Sequence, residues 1–373
     1  MIIDRLQLEH YRNYKQLDLS LTKRTNVIVG NNAQGKTNVL EAIAMLAFAK
    51  SHRTNRDRDL VRWDDPFSRI HGTITRQERK VELELRIQER GKKVLVNGIE
   101  RRKVSEFIGI FNVVLFAPEH LDIVKRGPNE RRKFLDMELG QINPTYLHHL
   151  MQYTKILAQR NKLLKTMNTQ GALVMLSVWD EQLAEHGAEI IKRRFEFVSK
   201  LQQFAEKIHC QIAQNESLTL DYMCSLGASA NEREDTDRLT ELLLAKLAEA
   251  HVLDIARGTT TVGPHRDDLG IAINDRPAAV FASQGQQRTA ALSIKLAEID
   301  LIVAYTDQHP VLLLDDVLSE LDERRQIHLI EAMDNRVQTI ITTASTFGID
   351  LFLSSETTMH YVQSGVITTK RRD

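Results

Sequence analysis

Eight consecutive residues near the amino terminus have the pattern of a phosphate-binding loop. They fit G-x-x-x-x-G-K-[ST], in which glycines let backbone amides curl around phosphates and the following helix points its positive end at them. We expect all eight to contact a nucleotide: Gly30, Asn31, Asn32, Ala33, Gln34, Gly35, Lys36 and Thr37. The Lys36 ammonium would neutralise the β and γ phosphates of ATP during catalysis, and the Thr37 hydroxyl would bind Mg²⁺.

Two acidic residues follow an apolar run much later in the chain. Residues 311 to 314 read as a buried strand, and Asp315 and Asp316 come directly after it. Open α/β sheets bind ligands at the carboxyl ends of their strands. We therefore expect Asp315 to hold Mg²⁺, directly or through water. Asp316 would be placed to orient or deprotonate the water that attacks the nucleotide.

A short turn before the acidic strand predicts a second anion site. Residues 283 to 286 read Ser-Gln-Gly-Gln and open a helical pattern that continues to about residue 305. A serine hydroxyl and a helix amino end both favour a negatively charged ligand. Ser283, Gly285 and Gln286 are therefore candidate nucleotide contacts, although the turn by itself is more typical of an ordinary capped helix.

The elements around these motifs predict an α/β fold that is divided in the sequence. Residues 26 to 29 form a buried strand before the glycine loop, and residues 68 to 97 alternate as in an antiparallel layer. From 119 to 251 long helical patterns dominate, and strand patterns return after Gly258. The prediction is a head with a mixed sheet, built from residues 1–118 and 252–373 and interrupted by a helical lobe at 119–251.

Composition and charge limit the possible settings of the protein. The chain has 373 residues, with 50 basic and 50 acidic side chains, so any affinity for nucleic acid must come from uneven charge. Its two cysteines lack metal-ligand or disulfide spacing, which favours a reducing compartment. Charges interrupt the apolar runs of the amino terminus, and no stretch approaches about 18 apolar residues, so neither a secretory signal nor a membrane span is predicted. We expect a cytoplasmic protein.

The three motifs, taken together and in this order, resemble the nucleotide-binding motifs of ABC ATPases, and residues 319–322 resemble the D-loop of that class. Finer matches resemble one branch, the RecF family of bacterial DNA-repair proteins. The matching segments are KSHRT at 50–54, RNKLLK at 160–165, GPHRDDL at 263–269 and LLDDVLSELD at 313–322. The resemblance covers essentially the whole chain.

The resemblance implies an ATP-driven switch. ATP would lie between the glycine loop of one subunit and Ser283, Gly285 and Gln286 of a second copy, so that nucleotide joins two heads around DNA. By the same resemblance, RecR and RecO would be partners, and the roles would be recombinational repair, replication restart and the SOS response. Many ABC proteins carry Glu where this chain has Asp316, and no switch histidine follows the next strand. We therefore expect a weak ATPase.

Other interpretations remain open. A scaffold that binds ATP without hydrolysing it fits the same motifs, whereas a transporter ATPase subunit fits them poorly because it usually carries an L-S-G-G-Q motif. DNA contact would be independent of base sequence, but each basic cluster, taken singly, is more typical of a solvated surface. The clusters are Lys50, Arg53, Arg56 and Arg58; Lys92, Lys93, Arg101, Arg102 and Lys103; Arg131, Arg132 and Lys133; and Lys192, Arg193 and Arg194. His52, Arg53 and Arg266 could contact nucleotide instead and are left unassigned.

Overall fold

The computed structural model describes residues 1–371 apart from 90, 122, 167–170, 334–336 and 345–356. The strands are β1 Ile2–Tyr11, β2 Tyr14–Ser20, β3 Thr25–Val29, β4 Phe67–Arg76, β5 Arg79–Gln88, β6 Gly91–Val96, β7 Ile99–Glu100, β8 Val113–Phe116, β9 Leu218–Met223, β10 Asp268–Ile273, β11 Arg276–Pro277, β12 Val311–Asp315, β13 Thr339–Thr343, β14 Thr358–Gln363 and β15 Val366–Arg371. The helices are α1 Lys36–Phe48, α2 Pro118–Leu121, α3 Pro128–Ile142, α4 Pro144–Thr166, α5 Gly171–Ile212, α6 Thr236–Glu249, α7 His251–Arg257, α8 Ala278–Phe281, α9 Gln284–Thr306 and α10 Glu323–Met333. Among the helices in these ranges, none combines the length and apolar character needed to cross a membrane.

A six-stranded sheet carries the candidate motifs, in the order β15-β14-β3-β13-β12-β8. The strands from β14 to β8 pair in parallel, and β15 pairs antiparallel with β14. Their runs of buried residues explain why the sequence shows unbroken apolar stretches here, as expected for a sheet covered on both faces. In this order, only β13 lies between β3 and β12. Because these strands are parallel, the glycine loop after β3 and the acidic residues at the end of β12 lie at the same edge of the sheet.

The second six-stranded sheet is antiparallel, in the order β2-β1-β4-β5-β6-β7. Its strands alternate between buried and exposed residues, which is the pattern that predicted this layer. Asn97 and Gly98 form the two-residue turn between β6 and β7, and both have positive φ, 51° and 76°. A tight hairpin turn requires that backbone conformation, so the predicted turn is confirmed.

Contact density divides the chain into two compact units. Unit 1 comprises Met1–Asp122, Gln211–Gln214 and Ala291–Asp373. Its core includes α1, which packs against strands of both six-stranded sheets. The α1 side chains Val39, Leu40 and Ile43 are fully buried, because this helix is apolar on nearly every side.

Unit 2 comprises Ile123–Cys210 and Asn215–Ala290 and contains α3 to α8 together with a three-stranded sheet, β11-β10-β9. Residues 252–290, predicted to belong to the head, cluster with this unit. The physical reason is β9, a strand that the helical patterns of this region did not predict. It pairs antiparallel with β10 over six residues and so holds the segment around β10 in unit 2.

Candidate nucleotide-binding site

The glycine loop runs from the end of β3 into the amino end of α1, as the motif requires. Ala33 and Gly35 both have positive φ, 65° and 114°, so the chain reverses within the loop. A Cβ at Gly35 would lie 2.6 Å from the Asn13 Nδ2 and 2.8 Å from the Tyr14 hydroxyl. Both the backbone conformation and the close approach therefore favour glycine at position 35.

The turn between β1 and β2 supports the glycine loop from behind. The Tyr14 hydroxyl donates to the Gly35 carbonyl oxygen at 3.1 Å, and Asn13 Nδ2 donates to the Gln34 carbonyl oxygen at 2.9 Å. Asn38 Nδ2 donates in turn to Asn13 Oδ1 at 2.8 Å. These bonds hold loop carbonyls away from the space that the backbone amides enclose, which suits an anion.

Lys36 lies inside the loop with a buried side chain. Its ammonium donates to the carbonyl oxygens of Gly30 at 2.6 Å and Asn31 at 3.1 Å. A lysine ammonium has three hydrogens, so one more can be donated to a phosphate oxygen without breaking either bond. These two bonds hold the positive charge of Lys36 at the opening of the glycine loop.

Thr37 and Asp315 are brought together by the fold, although they are 278 residues apart in sequence. The Thr37 hydroxyl donates to Asp315 Oδ1 at 3.0 Å. An octahedral Mg²⁺ with ligands at about 2.1 Å separates neighbouring ligand oxygens by about 3.0 Å. The two oxygens therefore fit Mg²⁺ as adjacent ligands. Burial raises the pKa of Asp315, opposed by the hydroxyls of Thr342 and Thr37, so a cation there would offset the cost of the buried charge.

Thr342, at the end of β13, positions both acidic residues. Its hydroxyl donates to Asp315 Oδ1 at 2.7 Å and accepts the backbone N–H of Asp316 at 3.0 Å. Asp316 has a φ of 53°, in the left-handed region, so the chain turns sharply after β12. The sequence around Thr342 contains no switch histidine, and nothing in its local pattern predicts this positioning role.

Two further groups near Asp315 were not assigned from sequence. The charges of His52 and Glu119 both act on the Asp315 carboxyl. Burial lowers the pKa of His52, opposed mainly by Glu41 and Asp315. Glu119 follows β8, which pairs in parallel with β12, and this pairing explains why their carboxyl ends meet. The sequence predicts the strand β8, which ends before Pro118. It does not show that β8 pairs with β12, so the position of Glu119 near Asp315 could not be predicted.

Arg53, which was left unassigned, belongs to an ion cluster around Glu41 on α1. Glu41 is fully buried and accepts from both Arg12 Nε at 2.9 Å and Arg12 Nη2 at 2.6 Å. The Ser51 hydroxyl donates to Glu41 at 2.6 Å, and Arg53 Nη1 lies 3.5 Å from the Glu41 carboxylate. Burial would raise the pKa of Glu41, but Arg12 and Ser51 outweigh it and the pKa is lowered. This cluster fixes α1 to the β1–β2 turn.

The Ser-Gln-Gly-Gln turn is a capped helix start in unit 2. The Ser283 hydroxyl accepts the backbone N–H of Gln286 at 3.2 Å, and the Gln286 Oε1 accepts the backbone N–H of Ser283 at 2.8 Å. This reciprocal pair begins α9. The Gly285 carbonyl oxygen accepts from the Thr289 hydroxyl at 3.0 Å within the helix. Ser283 is exposed, so its hydroxyl can be reached from solvent.

The segment that resembles the D-loop is described only in part. The side chains of Ser319 and Glu320 lie outside the described residues. Leu321 is buried, and Asp322 Oδ1 accepts the backbone N–H of Arg325 at 2.9 Å, which caps the start of α10.

The GPHRDDL segment is an internal part of unit 2. His265 contacts the Tyr153 hydroxyl at 2.6 Å, and Arg266 donates to the Thr260 carbonyl oxygen at 2.8 Å. Asp267 accepts from the Tyr222 hydroxyl at 2.6 Å. These contacts give the segment a structural role within the unit, including Arg266, which had been left unassigned.

The basic clusters differ in how far they are engaged internally. Arg131 forms two bonds with Asp268, Arg132 donates to the Asp267 carbonyl oxygen, and Arg194 is buried. By contrast, Lys50, Arg56 and Arg58, in the segment after α1, have exposed side chains. These three side chains are therefore more accessible to a phosphate backbone than Arg131, Arg132 and Arg194.

Comparison with known proteins gives consistent relationships along the whole chain. The model of the RecF/RecN/SMC N-terminal domain family matches residues 2–364. The DNA replication and repair protein RecF of Bacillus cereus is 49% identical over 370 residues, covering 98% of both chains. The protein of the same name from Bacillus cytotoxicus is 49% identical over 368 residues, with the same coverage.

Solved structures give the same result. A structure of the recombination mediator protein RecF with ATPrS, in the RecFOR pathway, is similar with a TM-score of 0.90 and 35% identity, covering 99% of this chain and 98% of that one. A structure of the Smc head bound to the C-winged helix domain of ScpA matches with a TM-score of 0.55 and 16% identity, covering 99% of this chain and 97% of that one. At this identity, the match shows a shared fold alone. The predicted fold class, an ABC-type ATPase head of α/β type, is confirmed.

Proposed function

Because this chain belongs to the RecF/RecN/SMC N-terminal domain family, we propose that it is an ATP-dependent DNA-binding protein of recombinational repair and replication restart. The observation that carries the ATP site is the 3.0 Å contact between Thr37 Oγ1 and Asp315 Oδ1. It joins the glycine loop to the acidic strand in the geometry that a nucleotide-bound Mg²⁺ needs. A related structure contains ATP, and another contains ATPrS.

The proposed chemistry divides among four residues. Lys36 neutralises phosphate charge at the mouth of the loop, and Thr37 and Asp315 hold Mg²⁺. Mg²⁺ held by these two residues would supply stabilisation of the negative charge that develops on the phosphates during transfer. Asp316 orients the water whose oxygen bonds to the γ-phosphorus while the bond to the bridging oxygen breaks, and its carboxylate accepts the proton. An aspartate is one methylene shorter than glutamate, so we expect slow turnover.

The candidate contacts at Ser283, Gly285 and Gln286 suit a nucleotide bound by a second copy of the chain. The Ser283 hydroxyl is exposed at the amino end of α9, where the helix dipole favours an anion. A triphosphate held by the glycine loop of one subunit and this surface of another would stabilise only the dimer. ATP would therefore drive dimerisation, and hydrolysis would reverse it.

The proposed partners are DNA, RecR and RecO. One related structure is described as a recombination mediator of the RecFOR pathway, and the related Bacillus proteins as acting in DNA replication and repair. DNA contact through phosphate groups would be independent of base sequence and sensitive to salt. The exposed side chains of Lys50, Arg56 and Arg58 are the first candidates. A cytoplasmic location and a role in the SOS response belong to the same proposal.

A scaffold that binds ATP without hydrolysing it is the second candidate, because the shorter Asp316 leaves the attacking water less well held. Release of phosphate, measured with and without DNA, separates the two. A transporter subunit is disfavoured by the match to the RecF/RecN/SMC family along residues 2–364.

The deciding experiment is light scattering with Mg-ATP or ADP, with and without short duplex DNA. We expect a dimer with ATP alone, strengthened by DNA, and none with ADP. Lys36→Ala should stay monomeric, whereas Lys15→Ala, which removes an exposed lysine from β2, should behave as the wild type. An unchanged mass under conditions where ATP binds would show that the site serves a monomer.

A further inference from the structure

The side chain of Gln286 is held at both ends of its amide. Its Oε1 accepts the backbone N–H of Ser283 at 2.8 Å, and its Nε2 donates to Glu216 Oε1 at 3.0 Å. An amide held by an acceptor and a donor on opposite sides has one favoured orientation. The nitrogen of Gln286 therefore has a defined direction, and one of its two hydrogens is free of the Glu216 bond.

Glu216 lies beside a buried histidine of α5. Its second carboxylate oxygen lies 3.5 Å from His209 Nε2, in the last turn of α5. His209 is fully buried, and the Glu216 side chain is 24% exposed. The carboxylate thus lies between the end of a 42-residue helix and the start of α9.

The backbone around Glu216 is fixed by the small sheet of unit 2. Ser217 N donates to Asn274 Oδ1 at 2.9 Å, and Asn274 N donates to the Ser217 carbonyl oxygen at 3.0 Å. Leu218 pairs with Ile273 in the register of β9 and β10. Gln202 of α5 donates to the Leu218 carbonyl oxygen at 2.9 Å. The segment from residue 216 to 218 is therefore bound on both sides.

We propose that Glu216 is a positioning residue that orients the Gln286 amide for contact with the nucleotide of a second subunit. The inference rests on the proposed function, because it assumes that Gln286 meets ATP only in the dimer. A side chain oriented beforehand loses less conformational entropy when it binds. Removing Glu216 leaves the Gln286 amide held only through Oε1, by the Ser283 N–H, so its nitrogen loses the partner that sets its direction. The change therefore weakens the ATP-dependent dimer without touching the glycine loop of the same chain.

The test compares Glu216→Ala with Glu216→Gln in the full-length protein. Glutamine retains an oxygen that can accept from Gln286, whereas alanine does not. We expect Glu216→Ala to weaken ATP-dependent dimerisation on the order of tenfold, as loss of a bond to a charged group implies. Glu216→Gln should remain within about twofold of the wild type, because its acceptor is intact. Fluorescent ATP should bind monomers of both variants equally well.

Two controls separate positioning from a general loss of structure. Glu249→Ala, which removes an exposed carboxylate from α6, should leave dimerisation unchanged. A double-mutant cycle with Gln286→Ala should be non-additive, because both changes remove the same interaction.

The outcomes are distinguishable. If wild-type protein fails to dimerise with ATP, the proposed function fails. If wild-type protein dimerises and Glu216→Ala does so equally well, the positioning role alone is overturned. Equal defects in Glu216→Ala and Glu216→Gln, or strictly additive effects with Gln286→Ala, also overturn it.

Discussion

The Thr342 hydroxyl donates to Asp315 Oδ1 at 2.7 Å and so links the end of β13 to the acidic strand beside it. The Thr342 hydroxyl oxygen also accepts the backbone N–H of Asp316. One small side chain therefore sets the direction of the proposed metal ligand and the backbone of the proposed general base. Outer groups of this kind orient a metal ligand, and their loss typically lowers metal affinity or activity by about tenfold to a hundredfold.

Thr342→Val should lower the rate of ATP hydrolysis by about tenfold to a hundredfold, because it removes this hydroxyl while keeping the shape of the side chain. Binding of ATP should change less, since the glycine loop is untouched. Thr342→Ser restores the hydroxyl and should recover most of the rate. Single-turnover phosphate release measures all three proteins, and wild-type rates in Thr342→Val would show that the hydroxyl has no part in turnover.

Asp315→Asn should make the nucleotide-free protein more stable while abolishing hydrolysis. Burial raises the pKa of Asp315, so the folded state binds the proton more tightly than the unfolded state, and ionisation at neutral pH costs stability. Asparagine removes that cost and still accepts from Thr37 and Thr342. The increase in Tm should shrink as the pH falls toward the ordinary range of an aspartic acid, where the wild-type carboxyl is protonated. A lower Tm for Asp315→Asn at neutral pH would contradict this account.

The sequence was most informative where function depends on consecutive residues. The glycine loop, the acidic strand and the Ser283 turn lie on the elements that their patterns predicted, because local geometry explains each of them. Thr342, Glu119 and Glu216 were missed for the opposite reason. Each interacts with a partner that only strand pairing or packing brings near, such as Gln286, which is 70 residues from Glu216. Strand β9 was missed because one short strand interrupts long helical patterns.

Unit 2 should lose stability as the pH falls from about 6.5 toward 4. His265 Nε2 donates to the Thr260 carbonyl oxygen at 3.1 Å, so Nδ1 must accept from the Tyr153 hydroxyl. Burial lowers the pKa of His265 to about 4. The unfolded state therefore binds more protons across this window, and stability rises with pH through it and levels off above the unfolded pKa. The contribution is up to about 3 kcal/mol at the acid end.

The measurement is urea unfolding at several pH values, followed by Trp179 in a Trp63→Phe background. Trp63 is 90% exposed, so its removal should leave the fold intact and isolate the signal from unit 2. His265→Asn should flatten the dependence on pH, even if it lowers stability at every pH. An unchanged slope in His265→Asn would assign the effect to other groups.

Arg160→Met should destabilise unit 2 by about 3 to 5 kcal/mol, because it removes the guanidinium that pairs with two buried carboxylates. Arg160 Nε donates to Asp180 at 2.6 Å, and Nη1 donates to Asp254 at 2.7 Å and to the Thr260 hydroxyl at 2.9 Å. Both carboxylates are almost wholly buried, so water cannot replace the guanidinium. Lys246→Met breaks the exposed pair with Glu249 and should cost less than about 1 kcal/mol. Urea unfolding followed by Trp179 compares the two, and equal losses would mean that burial does not decide the strength of these pairs.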